Sequence, residues 1–163
     1  MEEEPTTFDA MFTRYQRPIY GYLLGMVGNA AQAQDLTQDT FLTAYKALPR
    51  TPDPALPAWL YRIATRTALG ALRRRRRLRW LPFALCVGGE DRWLDPAADP
   101  LARCAAQQAV RLALARLSPR QRACLLLRAR EGLAIAEIAY VLDLSSGAVK
   151  VTLRRAKELM ADG

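Results

Sequence analysis

The chain of 163 residues contains no histidine and only three cysteines, Cys86, Cys104 and Cys124. Without histidine the commonest general base is missing, and with it the Ser–His and Cys–His nucleophile pairs and most catalytic zinc sites. Three scattered cysteines supply neither a disulfide framework nor a zinc site. Long apolar runs are also missing. The longest, Trp80 to Gly89, contains Pro82 and spans ten residues, against the roughly 20 that a membrane-spanning helix requires. The opening Glu2-Glu3-Glu4 has the wrong sign for a secretory leader. These absences favour a cytoplasmic, non-catalytic protein without membrane insertion, metal or cofactor.

What is present is apolar mass and unevenly placed charge. Hydrophobic residues make up 51% of the chain, enough for a buried core, which excludes wholesale disorder. The net charge of +8 is segregated: −3 over residues 1–60, +8 over 61–82, −2 over 83–110 and +5 over 111–163. Two basic blocks separated by an acidic stretch suggest two contact points on one polyanion. Within Gly88 to Pro100, GGEDRWLDPAADP, the glycines, prolines and acids resist both helix and core. The expected organisation is therefore two small all-α domains, 1–82 and 106–163, joined by a flexible linker at 83–105.

Every strongly periodic segment predicts helix. Thr6 is a candidate cap for a first helix ending at Gly28-Asn29, and a second is predicted from Ala31 to Leu48. Asp53-Pro54 offers a cap and a first-turn proline for a third region ending near Pro82. Beyond the linker the pattern predicts helices over 100–116, 119–131, 134–142 and 146–161. Ser118-Pro119-Arg120-Gln121 is a complete start signal of cap, proline and reciprocal Gln. No segment reads as strand.

The sharpest functional signal lies at the C-terminal end. Ile135, Ile138, Ala139 and Leu142 share one helix face, and Asp143-Leu144-Ser145 makes a tight turn in which Asp tolerates the left-handed conformation. Val149, Leu153, Ala156 and Met160 form the buried face of the following helix. This is helix-turn-helix spacing, in which the second helix enters a major groove. Its outward positions are Ser146, Lys150, Val151, Arg154 and Arg155. Lys and Arg donate to guanine or phosphate, and Val151 can meet a thymine methyl. The competing reading is a plain helical hairpin with a solvated basic face.

In the second block Arg62, Arg66 and Arg73 fall within ~40° of one another on a helical projection, beside Trp59. Leu60, Ile63, Ala64, Thr67 and Ala71 take the opposite, buried flank. A basic ridge abutting an aromatic is what a single-strand or phosphate-tracking surface needs, although Trp59 taken singly reads as core. Arg73, Arg74, Arg75, Arg76 and Arg77 cover the whole helix circumference, so no face of that turn packs into an apolar core. It projects into solvent, lies along phosphates, or serves as a nuclear-import signal. In the second helix Phe41, Ala44, Tyr45 and Leu48 are expected in the core. Asp35, Asp39, Leu42 and Lys46 line up within ~60° on another side, with Leu42 an apolar residue in a charged stripe suited to a partner helix. The loop from Pro49 to Pro57 holds four prolines, stiff enough to present its backbone in a fixed shape.

Two sets of residues resemble a known family. Ala33-Gln34-Asp35-Leu36-Thr37-Gln38-Asp39-Thr40-Phe41, Trp59-Leu60-Tyr61-Arg62-Ile63-Ala64 and the Arg73–Arg77 run resemble region two of the sigma-70 factors. Leu117-Ser118-Pro119-Arg120-Gln121-Arg122, Glu131-Gly132-Leu133, Glu137-Ile138-Ala139 and Gly147-Ala148-Val149-Lys150 resemble region four. Order and spacing are similar to the small extracytoplasmic-function (ECF) sigma factors across residues 8–161. The resemblance implies a bacterial alternative sigma factor that binds core RNA polymerase and directs promoter recognition and opening.

By that resemblance Asp35, Gln38, Asp39 and Leu42 contact the clamp coiled coil of the largest polymerase subunit. Trp59, Arg62, Arg66, Arg73, Arg74 and Arg77 serve the −10 element, where a base leaves the stack and arginines hold the freed strand. Ser146, Lys150, Val151, Thr152, Arg154 and Arg155 face the −35 element. An anti-sigma factor covering both domains is the further partner implied. Arg66 stands where the family usually has Asn, Gly70 where it often has Asp, Gln34 for a frequent Glu and Ala148 for the usual Thr. Val151 and Thr152 replace a typical Ser and Arg. Two other readings are a helix-turn-helix regulator that never meets polymerase, and a sigma mimic that titrates an anti-sigma factor without binding DNA. Cys124 is expected as core packing.

Overall fold

A computed structural model of the chain describes residues 8–48, 56–78 and 100–162. Among the described residues there is no strand. The helices are α1 (Phe8–Val27), α2 (Ala30–Ala47), α3 (Leu56–Leu78), α4 (Pro100–Ala115), α5 (Pro119–Leu125), α6 (Ile135–Leu142) and α7 (Ser146–Ala161). A π-helical turn, Leu126–Arg130, continues α5.

Helices α1, α2 and α3 pack together as the first unit. Met11, Ile19, Tyr22, Leu23 and Met26 of α1 meet Leu36, Phe41 and Ala44 of α2 and Leu60, Ala64 and Ala68 of α3, all buried. The Gly28-Asn29 step both ends α1 and starts α2. Gly28 takes φ +71, open to glycine without a Cβ clash, and its N–H closes onto the Leu24 carbonyl at 2.8 Å. Asn29 then caps α2, its Oδ1 accepting from the Gln32 N–H at 2.8 Å. The Thr6 cap and the Asp53-Pro54 start lie outside the described residues.

Buried hydroxyls in this unit are satisfied locally. Thr37, Thr40 and Thr65 donate to the carbonyls of Ala33, Leu36 and Tyr61, each four residues back. Thr65 also shares a 2.7 Å hydrogen bond with the buried Tyr22 hydroxyl, and Tyr22 meets Tyr61 edge-on at 5.5 Å. One expectation for the core fails. Tyr45 is 61% exposed and packs edge-on against Phe8 at 5.1 Å. Two faces of α2 are already taken by α1 and α3, and Tyr45 falls at the margin of the buried arc.

In the second unit the Ser118 start signal forms as expected. Ser118 Oγ accepts from the Gln121 N–H at 3.2 Å, and Gln121 Oε1 accepts from the Ser118 N–H at 3.0 Å. The helix predicted over 119–131 departs from α geometry in its last turn. The Glu131 N–H reaches the Leu126 carbonyl at 3.1 Å, a π-type bond, and the Leu133 N–H reaches Leu127 at 3.0 Å, with Gly132 between them at φ +71. Asp143 is left-handed at φ 55, as the turn requires, and Ser145 Oγ caps α7 by accepting from the Ala148 N–H at 3.1 Å.

On α6 the buried positions are Ile138 and Val141, whereas Ile135, Ala139 and Leu142 are half-buried. The buried arc is rotated from the expected one because α6 packs on α3 as well as on α7. Most of 83–105 lies outside the described residues, but α4 begins at Pro100, so the backbone at 100–105 is helical.

Cys124 is buried and unpaired, matching its expected role in packing; Cys86 lies outside the described residues. Burial pushes the Cys124 thiol up to about 11. Burial likewise raises the hydroxyls of Tyr22 and Tyr61 above the ordinary tyrosine value, and for Tyr61 the bond to Glu131 adds to the shift. A group whose pKa is raised on folding contributes stability that is complete below its unfolded pKa and lost as pH climbs towards the folded one. The melting temperature should therefore hold to about pH 8.5 and fall between there and about pH 11. A flat thermal-melt profile over that window would refute the assignment.

Candidate nucleic-acid interface

Helix α7 presents the basic surface expected of it. Val149, Leu153 and Ala156 are buried, which turns Ser146, Lys150, Val151, Arg154 and Arg155 into solvent. Arg154 lies 3.9 Å from Glu158, but both side chains are more than half exposed, and such pairs contribute little. Thr152 differs: it is half-buried and donates its hydroxyl to the Ala148 carbonyl at 2.7 Å. The sequence pattern missed Arg128 and Lys157, which line a shallow groove with Lys150 and Arg154. Arg128 is held there by donating to the Leu133 carbonyl at 3.0 Å. Its place depends on the π-helical turn, for which no local signal exists.

On α3 the predicted ridge is real in part. Arg66, Arg73, Arg74, Arg76 and Arg77 are exposed, and Trp59 and Arg62 are half-buried. Trp59 packs against the core at its edge, between the two readings of it. Arg75 is exposed as well, yet it donates to the Val27 carbonyl at 2.9 Å, capping the C-terminus of α1, where unpaired carbonyls and the helix dipole favour a cation. The flank opposite the ridge is buried at Leu60, Ala64 and Ala71 and half-buried at Ile63 and Thr67.

Gly70 sits in the interior of α3 with nothing within 4 Å of where a Cβ would lie. Packing does not require glycine there. Gly70→Ala is expected to stabilise the fold by about 1 kcal/mol through helix propensity alone, read as a rise in the urea midpoint. A fall would mean that α3 needs a bare backbone at that point.

Along α2, Asp35, Gln38, Asp39, Leu42 and Lys46 are exposed on one side, with Leu42 at 58%. Tyr45 stands beside Gln38 and Leu42 at helical spacing, so the stripe has two exposed apolar residues where the sequence pattern showed one.

The two units also touch. Tyr61 donates to Glu131 Oε2 at 2.6 Å. Arg62 lies with its guanidinium carbon 4.7 Å from the Tyr140 ring centroid and with Nη1 3.5 Å from the Tyr140 carbonyl. Arg122 donates to the carbonyls of Leu114, Leu117 and, across the units, Met26. Burial, and then the nearby Arg75, lower its pKa. Among the described residues no group of acids and cysteines has metal-site geometry, and no helix is long and apolar enough to cross a membrane.

Known proteins match this arrangement along the chain. Residues 11–78 match the sigma-70 region 2 family model, and residues 107–160 match the model for sigma-70 region 4. The ECF RNA polymerase sigma factor SigG of Mycobacterium tuberculosis is 37% identical over 96% of this chain and 48% of its own length. The chain thus spans about half the length of that relative. The ECF RNA polymerase sigma factor SigM of the same species is 31% identical over 94% of this chain and 75% of its own. Among solved structures, the sigma factor RpoE of Bartonella quintana, determined in complex with the anti-sigma factor NepR, covers 96% of both chains with a TM-score of 0.80 at 19% identity; it shares the fold. With both regions matched in order, the chain belongs to the extracytoplasmic-function group of the sigma-70 family.

Proposed function

We propose that this chain is an alternative sigma factor acting in the cytoplasm, which binds core RNA polymerase and carries it to promoters. The observation that supports this best is the pairing of two exposed basic helices, α3 and α7, in separate units, since one DNA reader would need only one. Residues 1–82 would form the polymerase and −10 unit, 83–105 the linker and 106–163 the −35 unit. Asp35, Gln38, Asp39 and Leu42, joined by Tyr45, would dock on the clamp coiled coil. Trp59, Arg62, Arg66, Arg73, Arg74 and Arg77 would hold the opened −10 strand by stacking and phosphate contacts. Ser146, Lys150, Val151, Arg154 and Arg155 would enter the −35 major groove, with the Thr152 hydroxyl occupied by its own helix.

The reading asks no catalysis of this chain, because polymerase does the chemistry. The RpoE relative was solved with an anti-sigma factor, which supports a protein inhibitor for this chain too. Run-off transcription with bacterial core polymerase on a genomic fragment library tests the proposal. New start sites that depend on the protein and share two spaced elements are expected. Operator binding without core binding would replace the reading with a helix-turn-helix regulator. Binding to neither DNA nor core would leave a sigma mimic.

A further inference from the structure

Four of the glycines in this fold have a structural reason to be glycine. Gly28 and Gly132 take φ +71. On α1 a Cβ built on Gly25 would come within 2.9 Å of the Leu126 side chain, and one built on Gly21 would run into the Arg130 guanidinium, so both admit close packing. Gly70 has neither reason. Its φ is not positive, and nothing stands within 4 Å of where its Cβ would lie. It nevertheless occupies the interior of α3, where only proline is less favourable.

What surrounds Gly70 is charge of one sign. Arg66 stands one turn before it and Arg73 and Arg74 one turn after, with Arg77 a turn further on the same side of α3. All four side chains are exposed, and none folds over the gap to within 4 Å of the absent Cβ. No acid lies anywhere between Leu56 and Leu78. Arg66 and Arg74 are about 12 Å apart along the helix axis, so the stretch between them is a short slot with cationic ends and a floor of helix backbone. The N–H groups of that floor are used inside the helix, which leaves no donor there for a phosphate. The floor suits a flat, uncharged group, and the guanidinium groups at the ends suit phosphates or the face of a base.

We propose that Gly70 is a specificity-determining residue of the α3 surface: its missing side chain opens a slot between Arg66 and Arg73–Arg74 that takes one unstacked nucleobase of a single strand, whose flanking phosphates the arginines hold. The inference rests on the reading of α3 as the strand-holding helix and names what that helix takes at this point. A base out of its stack regains contact by lying flat on a protein surface, a gain that tolerates any sequence. Any side chain at position 70 closes the slot, since in a helix it leans back towards the preceding turn, here that of Arg66. The glycine weakens α3 and strengthens strand binding, so stability and affinity move in opposite directions when it is replaced.

Gly70→Ala and Gly70→Leu, made in the full chain, test the slot. Each is titrated by fluorescence anisotropy with a short labelled oligothymidylate and with an abasic oligodeoxynucleotide of the same length, and each is assayed for its urea midpoint and in run-off transcription. Both variants should unfold at higher urea than the unaltered chain, since Ala and Leu are better helix formers. Gly70→Ala should bind the oligothymidylate roughly two- to threefold more weakly and Gly70→Leu about tenfold, with binding of the abasic oligomer unchanged in either. Equal oligothymidylate binding by Gly70→Leu and the unaltered chain overturns the slot. So does an equal loss for the two oligomers, which would mean a blocked phosphate path and not a base site. Arg66→Gln, at one end of the slot, should weaken both oligomers; if it weakened neither, the arginines would not hold the strand and the slot would fall with them. Base-dependent binding that Gly70→Leu abolishes, with no transcription from the unaltered chain, would keep the slot and refute the sigma reading. Transcription by the unaltered chain with binding indifferent to Gly70→Leu would do the reverse.

Discussion

Replacing Asp39 and Leu42 together by alanine is expected to weaken binding to core RNA polymerase by about thirtyfold while leaving the melting temperature unchanged. Leu42 is 58% exposed and Asp39 is exposed beside it, so neither holds the fold. Surface changes away from packing features usually shift stability within about 0.5 kcal/mol. An exposed apolar residue ringed by polar ones is the usual build of an interface anchor, and the loss of one such centre costs about 2 kcal/mol of binding. That figure corresponds to the thirtyfold change. Tyr45→Ala should add to the loss, since its ring extends the same patch, although its contact with Phe8 brings a small stability penalty. Fluorescence anisotropy of labelled protein titrated with core enzyme provides the measurement. Affinity that survived the double substitution would move the docking surface off α2.

The second large effect concerns α7. Changing Arg154 and Arg155 to glutamine should lower the affinity of holoenzyme for promoter DNA and flatten its salt dependence. If each arginine neutralises one phosphate, the slope of log K against log salt falls by about 0.9 per contact. At 0.1 M salt that is roughly eightfold per contact, and more than fiftyfold, on the order of 60, for the pair. Both side chains are exposed and the Arg154–Glu158 pair is long, so the fold should tolerate the change. Thr152→Ala should have little effect on promoter affinity, because its hydroxyl already donates to Ala148. A salt slope identical to that of the unaltered chain would place Arg154 and Arg155 away from the phosphates.

Local chemistry accounts for much of what was legible beforehand. Ser118-Pro119-Arg120-Gln121 carries its own cap, and Asp143 its own left-handed turn, within four residues each. Helix existence and the outward face of α7 follow from 3.6-residue periodicity, which needs no knowledge of the partner element. For these reasons Lys150, Val151, Arg154 and Arg155 were recognisable as a surface, as were Asp35, Asp39 and Leu42. Tyr45 falls outside the core that periodicity predicts for it, because periodicity gives the centre of a buried arc well and its margins poorly. Where that margin falls depends on how α1 and α3 share the faces of α2.

By itself, then, the sequence determined an all-helical chain of two units, its basic helices and its family resemblance, since propensity, capping and charge act over a turn or two of backbone. Only the tertiary structure decided which arginines reach backbone carbonyls far along the chain. Arg75 is drawn to the Val27 carbonyl, Arg62 to Tyr140 and Arg122 to Met26. Those partners stand 48, 78 and 96 residues away along the chain. The pairings arise because helix C-termini leave carbonyls without intrahelical donors, and because packing one unit over Gly21 and Gly25 brings guanidinium groups within reach of them. No pattern read along the chain encodes that approach; it follows from the shapes of two folded surfaces meeting.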